Sequence, residues 1–215
     1  MAPQPTGMPT AYRVETARLV LRCWSPEDAP ALRAVLEESD HHLRPWIPFM
    51  KDEPRTLKQT ADWLREQRAN FDLDRQFRYA VFERSDHTVL GENMLLARVG
   101  PGALEIGYWT AVAATGRGIA TEATCAVIRI GFELAGAERL EIHCAPENET
   151  SAAIPAKLGF KHEATLGERA RDIDGRVHDL MVWTLFAADY PGSPARAREI
   201  AAFDCLGRPL RVENA

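Results

Sequence analysis

The stretch EIGYWTAVAATGRGIATEA, from Glu105 to Ala123, carries most of the information in this chain. Its first part, with Ile106, Tyr108 and Trp109, reads as an apolar strand. Thr115-Gly116-Arg117-Gly118-Ile119-Ala120 then reads as a turn that opens directly into a helix. Gly116 and Gly118 let the backbone come close to a ligand with its N–H groups turned outward. The first helical turn adds unpaired N–H donors and the positive end of the helix dipole, and Arg117 adds a fixed charge. A strand, a Gly/Arg turn and a helix N-terminus together predict a cradle for a pyrophosphate. Neither of two common phosphate loops is present, since GxxxxGKS/T is absent and no GxGxxG follows a first strand.

A second block lies downstream. From Arg139 the chain reads RLEIHCAPENETSAAIPAKLGF, a strand followed by Asn148, by Ser151 three residues later, by a helix and by Lys157-Leu158-Gly159-Phe160. With the first block it resembles the GNAT acetyltransferases, in particular their RimJ/RimL-type branch. The acyl-CoA loop of that family reads Q/R-x-x-G-x-G/A. Here Gly118 and Ala120 match it, and Thr115 departs at the first position. Thr16 to Arg22 with Trp24-Ser25-Pro26-Glu27-Asp28 is similar to the branch's first strand and helix cap, and Asp174-Gly175-Arg176 with Asp179 to its last strand. The matches run in family order from about residue 12 to 187.

The resemblance implies an α+β GNAT fold, with a mixed, mostly antiparallel sheet of six to seven strands and about four helices. It implies acetyl-CoA as cofactor, its pyrophosphate on the amides of Gly116, Arg117, Gly118, Ile119, Ala120 and Thr121. The backbone of Tyr108, Trp109, Thr110, Ala111 and Val112 is expected to hold the pantetheine, with Asn148 and Ser151 beside it. The acceptor is a primary amine, by the branch's namesake a protein N-terminal amine; a small aminoglycoside-like amine is the alternative. A non-catalytic acyl-CoA-binding module is a further alternative from a different class. A homodimer is compatible with the branch.

Attack on a thioester requires an unprotonated amine, which calls for a general base. Glu105, on the strand leading into the loop, is the first candidate; a purely structural role is the competing reading. Glu168, after Gly159-Phe160, is in reserve, although the position that aligns with a glutamate of some relatives carries Ala170. For the leaving thiolate, no tyrosine lies between Pro146 and Phe160, and Ser151 is the hydroxyl the resemblance offers. Asn148 and Ser151 read equally as an N-cap and its N3 partner. Pro155 predicts that the short helix starts late, near Ser151, or bends, because an interior proline costs about 3 kcal/mol. His143 reads as a core or cleft-lining residue. His41, Trp46, Phe49 and Met50 either border the acceptor pocket or pack beneath their loop.

Composition narrows the class. The chain has 215 residues, 46% of them hydrophobic, and a formal charge of −5, which argues against nucleic acid as a partner. No apolar run approaches the roughly 20 residues of a membrane span, and no signal-peptide core opens the chain, so a cytoplasmic location is expected. The cysteines Cys23, Cys125, Cys144 and Cys205 have no CxxC spacing and read as free thiols. The six histidines show no HxxH or HxH spacing, and no metal is expected. Residues 1–12, rich in proline, read as a flexible terminus; 13–187 as the acetyltransferase domain; 188–215 as an extension holding a short helix over Pro194–Ala202 and a hairpin around Leu206-Gly207-Arg208.

Overall fold

The computed structural model describes residues 9–85 and 87–213. Strand β1 is Arg13–Glu15 and β2 Leu19–Cys23, followed by helices α1 (Ala29–Glu38), α2 (Asp40–Leu43) and α3 (Leu57–Asp72). Strands β3 (Phe77–Glu83), β4 (Val89–Leu96) and β5 (Ala103–Thr110) lead to α4 (Ile119–Glu133), β6 (Arg139–Cys144) and α5 (Glu149–Lys157). The chain closes with β7 (Lys161–Arg171), β8 (Val177–Phe186), β9 (Ala201–Phe203) and β10 (Pro209–Leu210).

Local chemistry explains the helix starts. Ser25 forms a capping box with Asp28 around the short turn that enters α1, with Pro26 at its head. Thr56 and Gln59 form the capping box of α3. The ten strands of the described residues share one sheet, in the order β10-β9-β1-β2-β3-β4-β5-β6-β8-β7. Neighbours are antiparallel except β5 and β6, which run parallel. One face packs on α4, where Leu104 and Ile106 meet Val127 and Ile130. The other face packs on α1 and α3, where Trp24, Phe82 and Trp109 meet Leu32 and Leu64.

The sheet exceeds the six to seven strands expected, because the C-terminal hairpin adds β9 and β10 to the edge at β1. Val14 pairs with Ala202. Among the described residues there are five α-helices rather than about four, the short α2 being the addition. The helix expected over Pro194–Ala202 does not form. Residues 194–197 make turns and the chain is extended from Ala201.

This segment instead covers the outer side of α4. Tyr190 stacks on Phe132 at 4.7 Å, and Ala195 is fully buried. That cover explains why α4 is buried nearly all round from Ala123 to Gly131. Beneath it, Arg129 and Glu133 form an ion pair that is 1% and 5% exposed. Arg129 also donates to the carbonyls of Arg198, at 2.6 Å, and Glu213.

At the other terminus, most of the stretch expected to be flexible, residues 1–8, lies outside the described residues. Residues 10–12 are fixed. Ala11 is buried and accepts from Tyr79 Oη at 2.9 Å, and Tyr12 Oη donates to Asp72 at 2.9 Å. Cys23, Cys125 and Cys144 are buried free thiols, and Cys205 is an exposed one. No described helix is long and apolar enough to cross a membrane.

Candidate active site

The site is organised by two strands that part. Parallel pairing of β5 with β6 covers Ala103 to Glu105 against Arg139 to Glu141 and then stops. Beyond Glu105, β5 stays paired only with β4, through Gly91↔Thr110, Glu92↔Trp109 and Asn93↔Tyr108. The β6 side of Ile106 to Thr110 is therefore an open strand edge with hydrogen-bonding groups available to a ligand. Among the residues expected to use this edge, Ala111 and Val112 are excluded as donors. The Ala111 amide bonds the Leu90 carbonyl at 2.8 Å, and the Val112 amide bonds Ser39 Oγ at 3.0 Å. Two residues before Ala111, the same alternation turns the Trp109 amide toward Glu92 of β4, so Tyr108 and Thr110 remain.

The open edge leads to the glycine turn. Gly118 is the N-cap of α4 in the left-handed conformation, φ 74°, and Gly116 also has positive φ, 71°, with open space where a Cβ would project. The amides of Gly116, Arg117 and Gly118 have no backbone acceptor among the described residues. Those of Ile119, Ala120 and Thr121 belong to a first helical turn and have none by geometry. Arg18 braces the turn by donating to the Arg117 carbonyl at 3.0 Å and pairing with Glu122 at 2.6 Å. Burial acts to raise the Glu122 pKa, but hydrogen bonds from Thr16 and Arg18 outweigh it and hold the carboxyl below its ordinary value. The acid in the first turn is thus neutralised by Arg18, which leaves the cradle suited to an anion.

Between edge and cradle, α5 brings hydroxyls together. Asn148 caps α5, its side chain accepting from the Ser151 amide at 3.1 Å. The helix therefore starts at Glu149, not late at Ser151, and Pro155 sits inside it. Proline has no N–H, so the carbonyl four residues earlier, that of Ser151, loses its helical partner. Tyr108 supplies the replacement: its Oη donates to the Ser151 carbonyl at 3.0 Å and lies 3.1 Å from Ser151 Oγ. Burial pushes the Tyr108 hydroxyl pKa up. Burial likewise raises the Cys144 thiol, against opposing effects of Ser151 and Trp183. The indole of Trp183 is buried beside that thiol. An open strand edge and a free amide cradle are what a bound acyl-CoA would need, so these residues fit that cofactor. The sequence assigns Tyr108 a place through its backbone alone; the contact of its hydroxyl with Ser151 is not legible there, because the partner is 43 positions away.

The opposite face of the parting strands carries Glu105. Leu104 and Ile106 face α4, so Glu105, Gly107 and Trp109 face the side of α1 and α3. Glu105 is 6% exposed and is held by Arg98, Nε to Oε2 at 2.6 Å. His143 Nδ1 lies 3.8 Å from Glu105, and His143 Nε2 lies 2.8 Å from Glu141. On the same face Glu92 is fully buried, with Arg78 at 2.7 Å and the indoles of Trp24 and Trp109 at 2.7 and 3.1 Å.

The remaining candidates divide. Phe49 packs near Trp109, with ring centroids 6.4 Å apart, and borders this face. Trp46 is 40% exposed and His41 is exposed on α2. Met50 is 0% exposed, so it belongs to the core and not to a pocket wall. Glu168 sits at φ 57° in a bulge of β7, exposed, its amide bonded to Asp179 at 2.9 Å. The structure records no contact of its side chain with Glu105 or Ser151 among the described residues.

Residues 18–161 match the family model described as an acetyltransferase (GNAT) domain. The chain is 30% identical over 188 residues to a protein of Bacillus subtilis named putative ribosomal N-acetyltransferase YdaF, covering 81% of this chain and 94% of the relative. It is 28% identical over 189 residues to the ribosomal protein uS5-alanine N-acetyltransferase of Escherichia coli, covering 84% and 94%. Among solved structures, Mycobacterium smegmatis RimJ, in complex with CoA-disulfide, superposes with a TM-score of 0.71 at 27% identity, covering 91% of this chain and 94% of that one. On this evidence of sequence and fold, the chain belongs to the GNAT acetyltransferase family.

Proposed function

We propose that this protein is an acetyl-CoA-dependent N-acetyltransferase whose acceptor is a protein N-terminal amine. The observation that carries the reading is the parting of β5 from β6 after Glu105, which leaves an open edge running into the amide cradle of α4. Acetyl-CoA, when bound, supplies the activated acetyl thioester. The amides of Gly116 to Thr121 hold its pyrophosphate, and the edge at Tyr108 to Thr110 holds the pantetheine. An N–H of that edge polarises the thioester carbonyl. Ser151, paired with Tyr108, donates a hydrogen bond to the sulfur as it leaves. From the other face Glu105 takes a proton from the acceptor amine.

The acceptor follows from the charge balance. An aminoglycoside-like polycation calls for surplus carboxylates in the acceptor cleft. Here Glu92, Glu105 and Glu141 are each paired with an arginine, Arg78, Arg98 and Arg139. A face with this balance suits one amine on an otherwise neutral chain better than a polycation, and the relatives named for ribosomal-protein acetylation agree. The test is acetyl-CoA-dependent thiol release with peptides bearing free N-termini, with polyamines and with aminoglycosides, wild type beside Glu105→Gln. Release with peptides, lost in the variant, is expected. Release only with aminoglycosides would overturn the acceptor, and cofactor binding with no turnover on any acceptor would favour a binding module.

A further inference from the structure

Arg98 holds both oxygens of the Glu105 carboxylate, through Nε at 2.6 Å and through a second guanidinium nitrogen, so an O–H bond formed there displaces a charge-assisted hydrogen bond. The neighbouring group offers an uncommitted acceptor. His143 lies on the same face, from the strand parallel to β5, and its ring is bracketed by two carboxylates. The hydrogen bond of Nε2 to Glu141 favours the tautomer with the proton on Nε2, which leaves the Nδ1 lone pair directed to the Glu105 side. Glu141 is in turn fixed by Arg139, Nε to Oε1 at 2.8 Å. The gap of 3.8 Å from Nδ1 to Glu105 is longer than a hydrogen bond, as such contacts often are before substrate closes a site.

We propose that His143 is the group that receives the acceptor amine's proton from Glu105, with Glu141 holding its imidazole in the receiving tautomer. The proposal rests on the reading of Glu105 given above. An N–H bond of the ammonium breaks as an O–H bond forms on Glu105. That O–H bond breaks as Nδ1–H forms on His143. The amine is left with its lone pair free, and the imidazolium stands between two carboxylates. The side chain of His143 is 18% exposed, so the proton then passes to water.

The other groups facing this position are accounted for. Arg98 and Arg139 are each committed to one of the two glutamates. On β8, Val182 lies beside His143 and Thr184 beside Glu141; Thr184 bonds Glu163 of β7 at 2.5 Å. Among the described residues no cluster of histidine, cysteine and carboxylate side chains could hold a metal, so the array is read as a proton path and not as a ligand set.

His143→Gln tests this, since glutamine can still donate to Glu141 but cannot take a proton. At neutral pH kcat/KM for a peptide N-terminus should fall about 100-fold. The deficit should close as pH rises and the amine deprotonates by itself, and it should shrink at neutral pH for a weakly basic acceptor amine. In the protein without acceptor, nitrogen NMR of the imidazole should show the Nε2–H tautomer, lost in Glu141→Gln. A His143→Gln profile matching wild type, or a loss equal at every pH and for every amine, would overturn the relay while leaving Glu105 as base. Full activity of Glu105→Gln would overturn the reading beneath it, and a mixture of tautomers in the wild type would overturn the role of Glu141.

Discussion

The hydroxyl of Tyr108 donates to the carbonyl of Ser151 at 3.0 Å, across the gap where β5 and β6 separate. That carbonyl is free because Pro155, four residues on, has no N–H to offer it. A helix defect and a strand residue therefore complete each other, and the result sets Tyr108 Oη 3.1 Å from Ser151 Oγ at the position assigned to the leaving sulfur.

Removing the tyrosine hydroxyl should uncouple chemistry from binding. Tyr108→Phe should lower kcat about 10- to 100-fold and leave the KM for acetyl-CoA within about twofold. Steady-state kinetics with thiol detection separates the two parameters.

Repairing the helix should harm the enzyme. Pro155→Ala restores an N–H that competes with Tyr108 for the Ser151 carbonyl. The urea midpoint should rise, since proline inside a helix costs about 3 kcal/mol, while kcat falls. Chemical denaturation and kinetics on the same sample check both signs.

The cradle depends on a backbone conformation that side chains resist. Gly118→Ala places a Cβ at φ 74°, 3.7 Å from the Arg18 guanidinium, at a left-handed cost of about 1–2 kcal/mol. If the turn escapes the strain by moving its amides, affinity for CoA should drop about tenfold, the equivalent of about 1.4 kcal/mol. Calorimetric titration with CoA reads this directly.

The C-terminal segment is held by a buried charge pair. Arg129→Met leaves Glu133 without its counter-ion, although Tyr190 and the Glu213 amide still bond it, and should cost about 3 kcal/mol in urea unfolding. Burial acts to raise the Glu133 pKa, but Arg129 and Tyr190 outweigh it and hold the folded value below the ordinary 4.5. A depressed carboxyl contributes stability above pH 4.5 that disappears as pH falls through the folded value. The wild type should therefore lose stability on acidification below that point, and Glu133→Gln should lose less over the same range.

Local pattern made much of this legible. Ser25-Pro26 announces its helix as an N-cap followed by proline, Thr56 with Gln59 as a capping box, and Gly116 and Gly118 announce the turn because few other residues take positive φ there. What stayed hidden depends on register and distance. Val14 pairs with Ala202 across almost the whole chain, and no periodicity encodes that meeting. Ser39 reaches the Val112 amide from the turn between α1 and α2, which removes a donor that the loop alone offered. His143 reads from the sequence as a core or cleft-lining residue, and only the parallel register that sets Glu105 opposite Glu141 brings it beside Glu105. Pro155 predicts a late start or a bend; the late start is not found, because the carbonyl that the proline leaves free takes its partner from another strand.

The most direct test of the account is acetylation of two matched peptides by wild-type enzyme with acetyl-CoA, read by fragment mass spectrometry. One peptide carries a free N-terminus and acetylated lysines; the other carries a blocked N-terminus and free lysines. The account predicts acetyl transfer to the α-amine of the first, none to the second, and none to either with Glu105→Gln. Modification of lysine side chains alone, or transfer that survives Glu105→Gln, would contradict it.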